Sequence, residues 1–234
     1  MDEETAAVTV ATRQSRLRVA LAARSRVTRD GGLAPVERRV LEAPGYVGLE
    51  HAVEVAEGRC VRLEKVVALF TSRDHAISEC ALAAREAVAE APGFTALAAS
   101  HEQAWDHLWR RFEVRLDGDE PGTRRAALVL RLHVFHLLQT TYRAVDRDAG
   151  VPARGLHGEA YRGHVFWDEL FIFPFLNLRM PELTRALLRY RHRRLGAARR
   201  AARAEGLRGA CYPWQSGSDG REESQTLHLN PRSG

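Results

Sequence analysis

The stretch "GLHGEAYRGHVFWDELFIFPFL" at residues 155–176 decides how the rest of the chain is read. Its first half collects three glycines, two histidines, Glu159, Arg162, Trp167 and Asp168, and beyond Glu169 it turns apolar toward Pro174. Glycines 155, 158 and 163 permit tight backbone turns. The stretch reads as a loop between two helices, crowded with groups that hydrogen-bond and stack.

On its N-terminal side, "RRAALVLRLHVFHLLQTTYRAV" (124–145) has helical periodicity, with Leu128, Leu132, Phe135, Leu138 and Tyr142 on one face. His133 and His136 sit three apart but have no third ligand of the right kind nearby, so they read as structural or incidental. "DGDEPG" (117–122) is a turn-rich break. Before it, "AISECALAAREAVAEA" (76–91) is rich in helix formers and Pro92-Gly93 stops it. A second helix follows, with Leu97, His101, Trp105, Leu108 and Phe112 on one stripe, read as packing residues.

Residues 1–75 read as β-rich. In "EHAVEVAEGRCVRLEKVVALFTSRD" (50–74), two alternating runs flank Glu57-Gly58 and predict a hairpin. His51, Val53 and Val55 share one face of the first run; Val61, Leu63, Lys65, Val67 and Leu69 share one face of the second. Such a face needs a second layer, and a β-sandwich supplies one. On the C-terminal side, "MPELTRALLRYR" starts a helix with Pro181 at its first position. The expected order is therefore mixed β then α: a β region at 1–75, a helical connector at 76–122 and a helical domain from 123 to 234.

The chain's 234 residues suit one large domain or parts of two. Hydrophobic content of 45% and charged content of 28% are ordinary for a globular protein. No apolar run approaches the roughly 20 residues that span a bilayer. "MDEETAAVTV" opens acidic with no signal core, so a cytoplasmic protein without a membrane partner is the expectation. The net charge is +5, carried almost wholly by arginine, since Lys65 is the single lysine. The densest run, 185–203, spaces Leu183, Leu187, Tyr190 and Leu195 helically, and reads as a helix with a solvated basic face rather than a nucleic-acid site. Cys60, Cys80 and Cys211 have neither metal-ligand spacing nor a disulfide framework.

Sugars are held by aromatic faces and by planar polar groups that pair with hydroxyls. Trp167 offers the first and Asp168 the second, with Arg162, His164 and Glu159 in reach. An equal alternative makes Phe166 and Trp167 core residues and Asp168 a helix cap. "RGACYPWQSGSDGREESQTLHLNPRSG" (208–234) repeats the chemistry with Tyr212, Trp214 and Gln215. Glu222 and Glu223 read as solvated surface carboxylates.

These two stretches, with "PELTRALLRYRHRRLGAARRAARAEGLRGACYPWQSGSDGREES", resemble glycoside hydrolase family 65, which includes maltose, trehalose and kojibiose phosphorylases and some trehalose hydrolases. The Tyr-Arg-Gly-His-x-Phe-Trp-Asp match at residues 161–168 is highly specific. "VRLEKVVALFTSRD" looks like the end of the family's N-terminal β-sandwich, "HEQAWDHLWRRFEV" like its helical linker, and "LRLHVFHLLQTTY" like the first helix of its (α/α)6 barrel. The resemblance thus implies the C-terminal part of a β-sandwich, a helical linker and a truncated (α/α)6 barrel.

It also implies that Trp167 and Asp168 contact the glucosyl unit, with Trp214 and Gln215 at the same subsite. Gln215 stands where several relatives carry glutamate. Tyr161, Arg162, Gly163 and His164 would shape the loop. The family's general acid lies in an Asp-Glu-Tyr-His segment that this sequence lacks, and is expected downstream of Gly234. The expectation is a fragment of an inverting α-glucoside phosphorylase acting on trehalose, maltose or kojibiose, inactive alone and dimeric when full length. Inorganic phosphate would be co-substrate, with no metal or organic cofactor. The alternatives are an inverting trehalose-type hydrolase and a non-catalytic sugar-binding or scaffold protein.

Overall fold

The computed structural model describes residues 4–13, 15–118, 120–141, 148–156, 160–217 and 219–224. The chain divides into two units, Met1–Asp106 and His107–Gly234.

In the first unit, β1 (Thr5–Ala11), β2 (Arg18–Arg29), β3 (Gly32–Leu33) and β6 (Val61–Thr71) form an antiparallel sheet. β2 is central: β6 pairs along most of its length, while β1 and β3 pair with its two ends. β4 (Glu37–Ala43) and β5 (Tyr46–Ala52) form a separate pair closed by Pro44-Gly45. Gly45 has φ +76°, a left-handed conformation that favours glycine there.

This pairing corrects the expected hairpin. β5 pairs with β4 and β6 with β2, so the runs on either side of Glu57-Gly58 are not partners. Val53 and Val55 lie beyond the end of β5. The Pro44-Gly45 turn gives β5 a partner close in sequence, and the long edge of β2 takes β6.

The packed side of β6 also differs from expectation. Helix α1 (Cys80–Glu90) buries Cys80, Ala84 and Val88 against Ala20 and Ala22 of β2, with Ala68 and Phe70 of β6 beside them. The expected face, Leu63, Val67 and Leu69, is exposed. Both sides of β6 carry apolar residues, so alternation does not select between them. The small alanines of β2 do, because they let a helix approach closely.

The ends of α1 are held by side chains. The Glu79 carboxylate accepts from the Leu82 N–H at 2.8 Å, capping orphan donors. At the other end, buried Arg24 donates through Nη1 to the Val88 carbonyl and through Nη2 to that of Ala91, both at 2.8 Å. A cation there suits both the free carbonyls and the helix dipole. Pro92-Gly93 breaks the chain as expected, and α2 (Phe94–Phe112) begins immediately after. Only Leu108 and Phe112 of its expected stripe are buried, while Leu97 and His101 are exposed.

The second unit takes the end of α2 and then α3 (Pro121–Thr141), α4 (Glu169–Arg179), α5 (Pro181–Arg193) and α6 (Leu195–Ala204). α3 buries Val134, Leu138 and Thr141, and exposes the expected Leu128 and Leu132. Tyr142 lies outside the described residues. Pro181 disfavours helical backbone at Met180, which separates α4 from α5 with φ −146°. Leu176, Leu183, Leu187 and Tyr190 are almost fully buried. Among the described residues no helix is long and apolar enough to cross a membrane.

Candidate functional site

The site is built from three loops and the C-terminal turns of α5. Backbone pairing starts it. Val165 and Ser216 exchange N–H···O bonds at 3.0 and 2.9 Å. Pro152 bridges to Val165, and Ser216 to Glu222. The result is a miniature antiparallel sheet made from residues far apart in sequence. Continuing the Val165–Ser216 register sets Trp167 opposite Trp214. Their ring centroids lie 6.3 Å apart at 33°.

Both indoles are about half exposed, Trp167 at 54% and Trp214 at 45%. An aromatic pair left open to water in this way is costly unless something covers it. Their edges are fixed by other rings. Phe171 meets Trp167 at 5.2 Å, buried Phe166 meets Trp214 at 6.2 Å, and Tyr161 meets Phe166 at 5.1 Å. So the alternative that put both Phe166 and Trp167 in the core holds for Phe166 alone.

Asp168 stands at the N-terminus of α4 and makes no side-chain capping bond. It lines a cavity of about 240 Å³ with His136, Thr140, Val151, Arg154 and Ile172. His136, read from sequence as structural or incidental, therefore lies at this cavity. Gln215 is buried, and its amide Nε2 pairs with His164 Nδ1 at 2.6 Å. Burial holds the His164 imidazole below its ordinary value; Glu223 opposes this and Arg162 adds to it. Neutral His164 accepts the amide proton at Nδ1.

Tyr161 and Arg162 sit in a tight turn with φ of 61° and 52°. Left-handed backbone at consecutive non-glycine residues stores strain, which commonly marks functional loops. Arg162 is exposed. Glu159 lies outside the described residues.

Glu222 and Glu169 are both held by backbone N–H groups. Burial would push the Glu222 carboxyl up, but N–H groups of Ser224, Trp214 and Gln215 outweigh it and hold it low. It anchors the Trp214 backbone, which corrects its reading as a solvated carboxylate. Glu223 pairs with Arg221. Glu169 is 4% exposed and accepts from the Val151 N–H at 2.8 Å. Desolvation raises its carboxyl, against the pull of Val151 and Arg191.

Sequence reasoning passed over the residues that hold this arrangement. Arg191 donates to Ser216 Oγ at 2.7 Å and to the Phe166 carbonyl at 3.1 Å, with Nε 3.9 Å from Glu169. The Tyr190 hydroxyl donates to the Gly217 carbonyl at 2.7 Å. Arg194 bonds both oxygens of Asp148 at 2.9 and 3.0 Å and the Asp219 carbonyl at 2.8 Å. Hydrogen bonding to Arg194, joined by Arg193, outweighs burial and holds the Asp148 carboxyl low. The basic run is thus not wholly a solvated face. Nothing in a run so dense in arginine marks which of them turn inward.

Known proteins share this chain's pattern. Residues 1–108 match the glycosyl hydrolase family 65 N-terminal domain, and residues 131–234 match the family's central catalytic domain. An uncharacterized glycosyl hydrolase of Mycobacterium tuberculosis is 51% identical over 95% of this chain, which spans 17% of that protein. The kojibiose phosphorylase of Halothermothrix orenii is 31% identical over 92% of the chain and 28% of its own length. The trehalose 6-phosphate phosphorylase of Lactococcus lactis is 41% identical over 54% of the chain and 16% of its own. A solved structure, titled a putative kojibiose phosphorylase from human microbiome, superposes with a TM-score of 0.71 at 19% identity, over 96% of this chain and 29% of that one. That likeness carries the fold, strands followed by helices. With both family domains matched in order across nearly the whole sequence, the chain belongs to glycoside hydrolase family 65.

Proposed function

We propose that the chain is part of an inverting α-glucoside phosphorylase acting on a glucose disaccharide, and that Trp167, Asp168, Trp214 and Gln215 line the glucosyl subsite. One observation carries this reading: two half-exposed indoles, paired at 6.3 Å, lie on the segments that also bring the Asp168 carboxylate to a cavity. Indole faces take the C–H surface of a pyranose, and an uncapped carboxylate takes adjacent hydroxyls. The names of the relatives, kojibiose and trehalose 6-phosphate phosphorylases, support the reaction class.

In this reading, residues 1–75 belong to an N-terminal β-sandwich, 76–122 to a helical linker, and 123–234 open an (α/α)6 barrel. The general acid belongs to a part of the enzyme outside these residues. It protonates the leaving oxygen while phosphate attacks the opposite face, giving β-glucose 1-phosphate. Phosphate arrives anionic, so no base carboxylate has to activate it. An inverting hydrolase needs such a base, about 6.5–9.5 Å from the acid. Hydrolysis is the second reading, favoured by the name of the Mycobacterium tuberculosis relative.

The test compares the 234-residue chain with the longest reading frame that contains it. Glucose and β-glucose 1-phosphate release is measured from kojibiose, trehalose, maltose and trehalose 6-phosphate, with and without phosphate. Phosphate-dependent turnover by the longer form alone is expected. Phosphate-independent glucose release selects the hydrolase. Turnover by the chain alone overturns the assignment of the acid, and Glu159, Glu169, Glu222 and Glu223 then become the candidates.

A further inference from the structure

The indole pair stays half exposed and is held at its edges by Phe171 and buried Phe166. Trp167 and Trp214 lie on loops 47 positions apart in sequence, joined by a single exchange of backbone bonds at Val165 and Ser216. An isolated bridge of this kind is a weak joint, since an unsupported hairpin is marginal in water. The Gln215–His164 bond at 2.6 Å adds one side-chain link between the two loops, and α5 supplies a stronger one.

Arg191 reaches both. One Nη donates to Ser216 Oγ, beside Gln215, and the other to the Phe166 carbonyl, whose peptide bond leads into Trp167. Its Nε faces Glu169, the residue after Asp168, at 3.9 Å. Glu169 in turn accepts from Val151, the partner loop on the far side of Val165. The backbone at Gly150 comes so near that a Cβ there would stand 2.7 Å from Glu169 Oε1 and 2.6 Å from Val165 Cγ2. The Arg191 side chain is 21% exposed and that of Glu169 is 5% exposed, so these bonds are sheltered from water. They converge on one planar, five-donor fork that lysine lacks.

We propose that Arg191, backed by Glu169, is a positioning residue that clamps the Trp167–Asp168 loop to the Trp214–Gln215 loop, so that the two indoles form one sugar-binding platform. The clamp rests on the proposed sugar site for its purpose and on its own contacts for its existence. The chemistry is selective for the fork. A lysine keeps a charge near Glu169 but reaches the two loops from a single point.

The test labels the four tryptophans of the 234-residue chain with 5-fluorotryptophan and reads their ¹⁹F resonances, assigned by single Trp→Phe variants. Arg191→Ala is expected to move the Trp167 and Trp214 lines together toward free fluorotryptophan while the Trp105 and Trp109 lines stay put. Arg191→Lys is expected to fail to restore them. Arg189→Ala, at an exposed neighbour on α5, is expected to change nothing. Ser216→Ala removes one arm of the clamp and is expected to shift the same two lines by less; it decides the matter if Arg191→Ala unfolds the chain. Unmoved Trp167 and Trp214 lines in Ser216→Ala and Arg191→Ala overturn the proposal, as does full rescue by lysine. Glucose is then titrated into the wild-type chain. Shifts confined to Trp167 and Trp214, with affinity at least tenfold weaker in Arg191→Ala, are expected. If glucose shifts no line, the sugar reading fails while the line positions still decide the clamp.

Discussion

Arg24 and Arg191 use the same chemistry in two different settings. Each is a sheltered guanidinium that donates to main-chain carbonyls. Arg24 serves the end of α1, a helix already held by Cys80, Ala84 and Val88 against the alanines of β2. Arg191 serves loops whose largest side chains point to water. Where apolar burial sets the geometry, the arginine only satisfies a helix terminus. Here the indoles stay half exposed and Asp168 lines a cavity. Burial cannot position them, and directional bonds take over that task.

The largest effect is expected on the open side of this comparison. Asp168→Ala in the full-length enzyme should lower turnover at least about a hundredfold, equivalent to ~2.7 kcal/mol of barrier. Because Asp168 makes no capping bond, the unfolding midpoint should hardly change. Near-normal turnover in a steady-state assay would remove Asp168 from the site.

The matching change on the packed side is Arg24→Met. It strips the charge-assisted bonds from the carbonyls of Val88 and Ala91, and should destabilise the first unit by about 3 kcal/mol. Urea unfolding followed by amide exchange in β2 and α1 would show it. An unchanged midpoint would mean that water replaces the guanidinium at no cost.

Acidity separates the site's own groups. His164 titrates below its ordinary 6.5 when folded, so its contribution to stability is complete above 6.5 and is lost as pH falls through the depressed value. Glu169 titrates above its ordinary 4.5. Its contribution is complete below 4.5 and is lost as pH rises through the raised value. Urea midpoints measured from about pH 4 to about pH 8 should therefore lose one slope in His164→Asn and the opposite slope in Glu169→Gln. If both variants flatten the same limb, one of the two assignments is wrong.

The smallest change in stability is expected on the sheet's exposed face. Val67→Thr with Leu69→Thr should alter folding by no more than about 0.5 kcal/mol. The same pair should reduce self-association of the isolated chain in sedimentation velocity, because a contiguous apolar face in water promotes it. Undiminished association would point to another surface.

Much of this molecule was readable in one dimension. Helix formers up to Pro92-Gly93, the opening of α5 at Pro181 and the strand character of residues 61–71 all follow from local preference. Residue types alone left Trp167 and Asp168 evenly divided between a sugar site and a core-and-cap role, and it was the resemblance to glycoside hydrolase family 65 that selected Trp167, Asp168, Trp214 and Gln215 as candidates. Strand partners were not readable. β5 and β6 are separated by a turn signal, but pairing depends on which edge is free, and the edge of β2 lies outside any local window. The buried side of β6 was equally hidden, since apolar residues occupy both of its faces.

Sequence by itself determined that strands come first and helices after, where Pro92-Gly93 and Pro181 punctuate the chain, and which side chains are candidates for a site. Tertiary structure alone decided which arginines turn inward, that Glu222 holds backbone rather than water, and that Trp167 and Trp214 meet. The physical reason is range. Propensity and turn chemistry act over a few residues, whereas a hydrogen-bonded fork on α5 joins loops separated by tens of residues, and its partners exist only once the chain has folded.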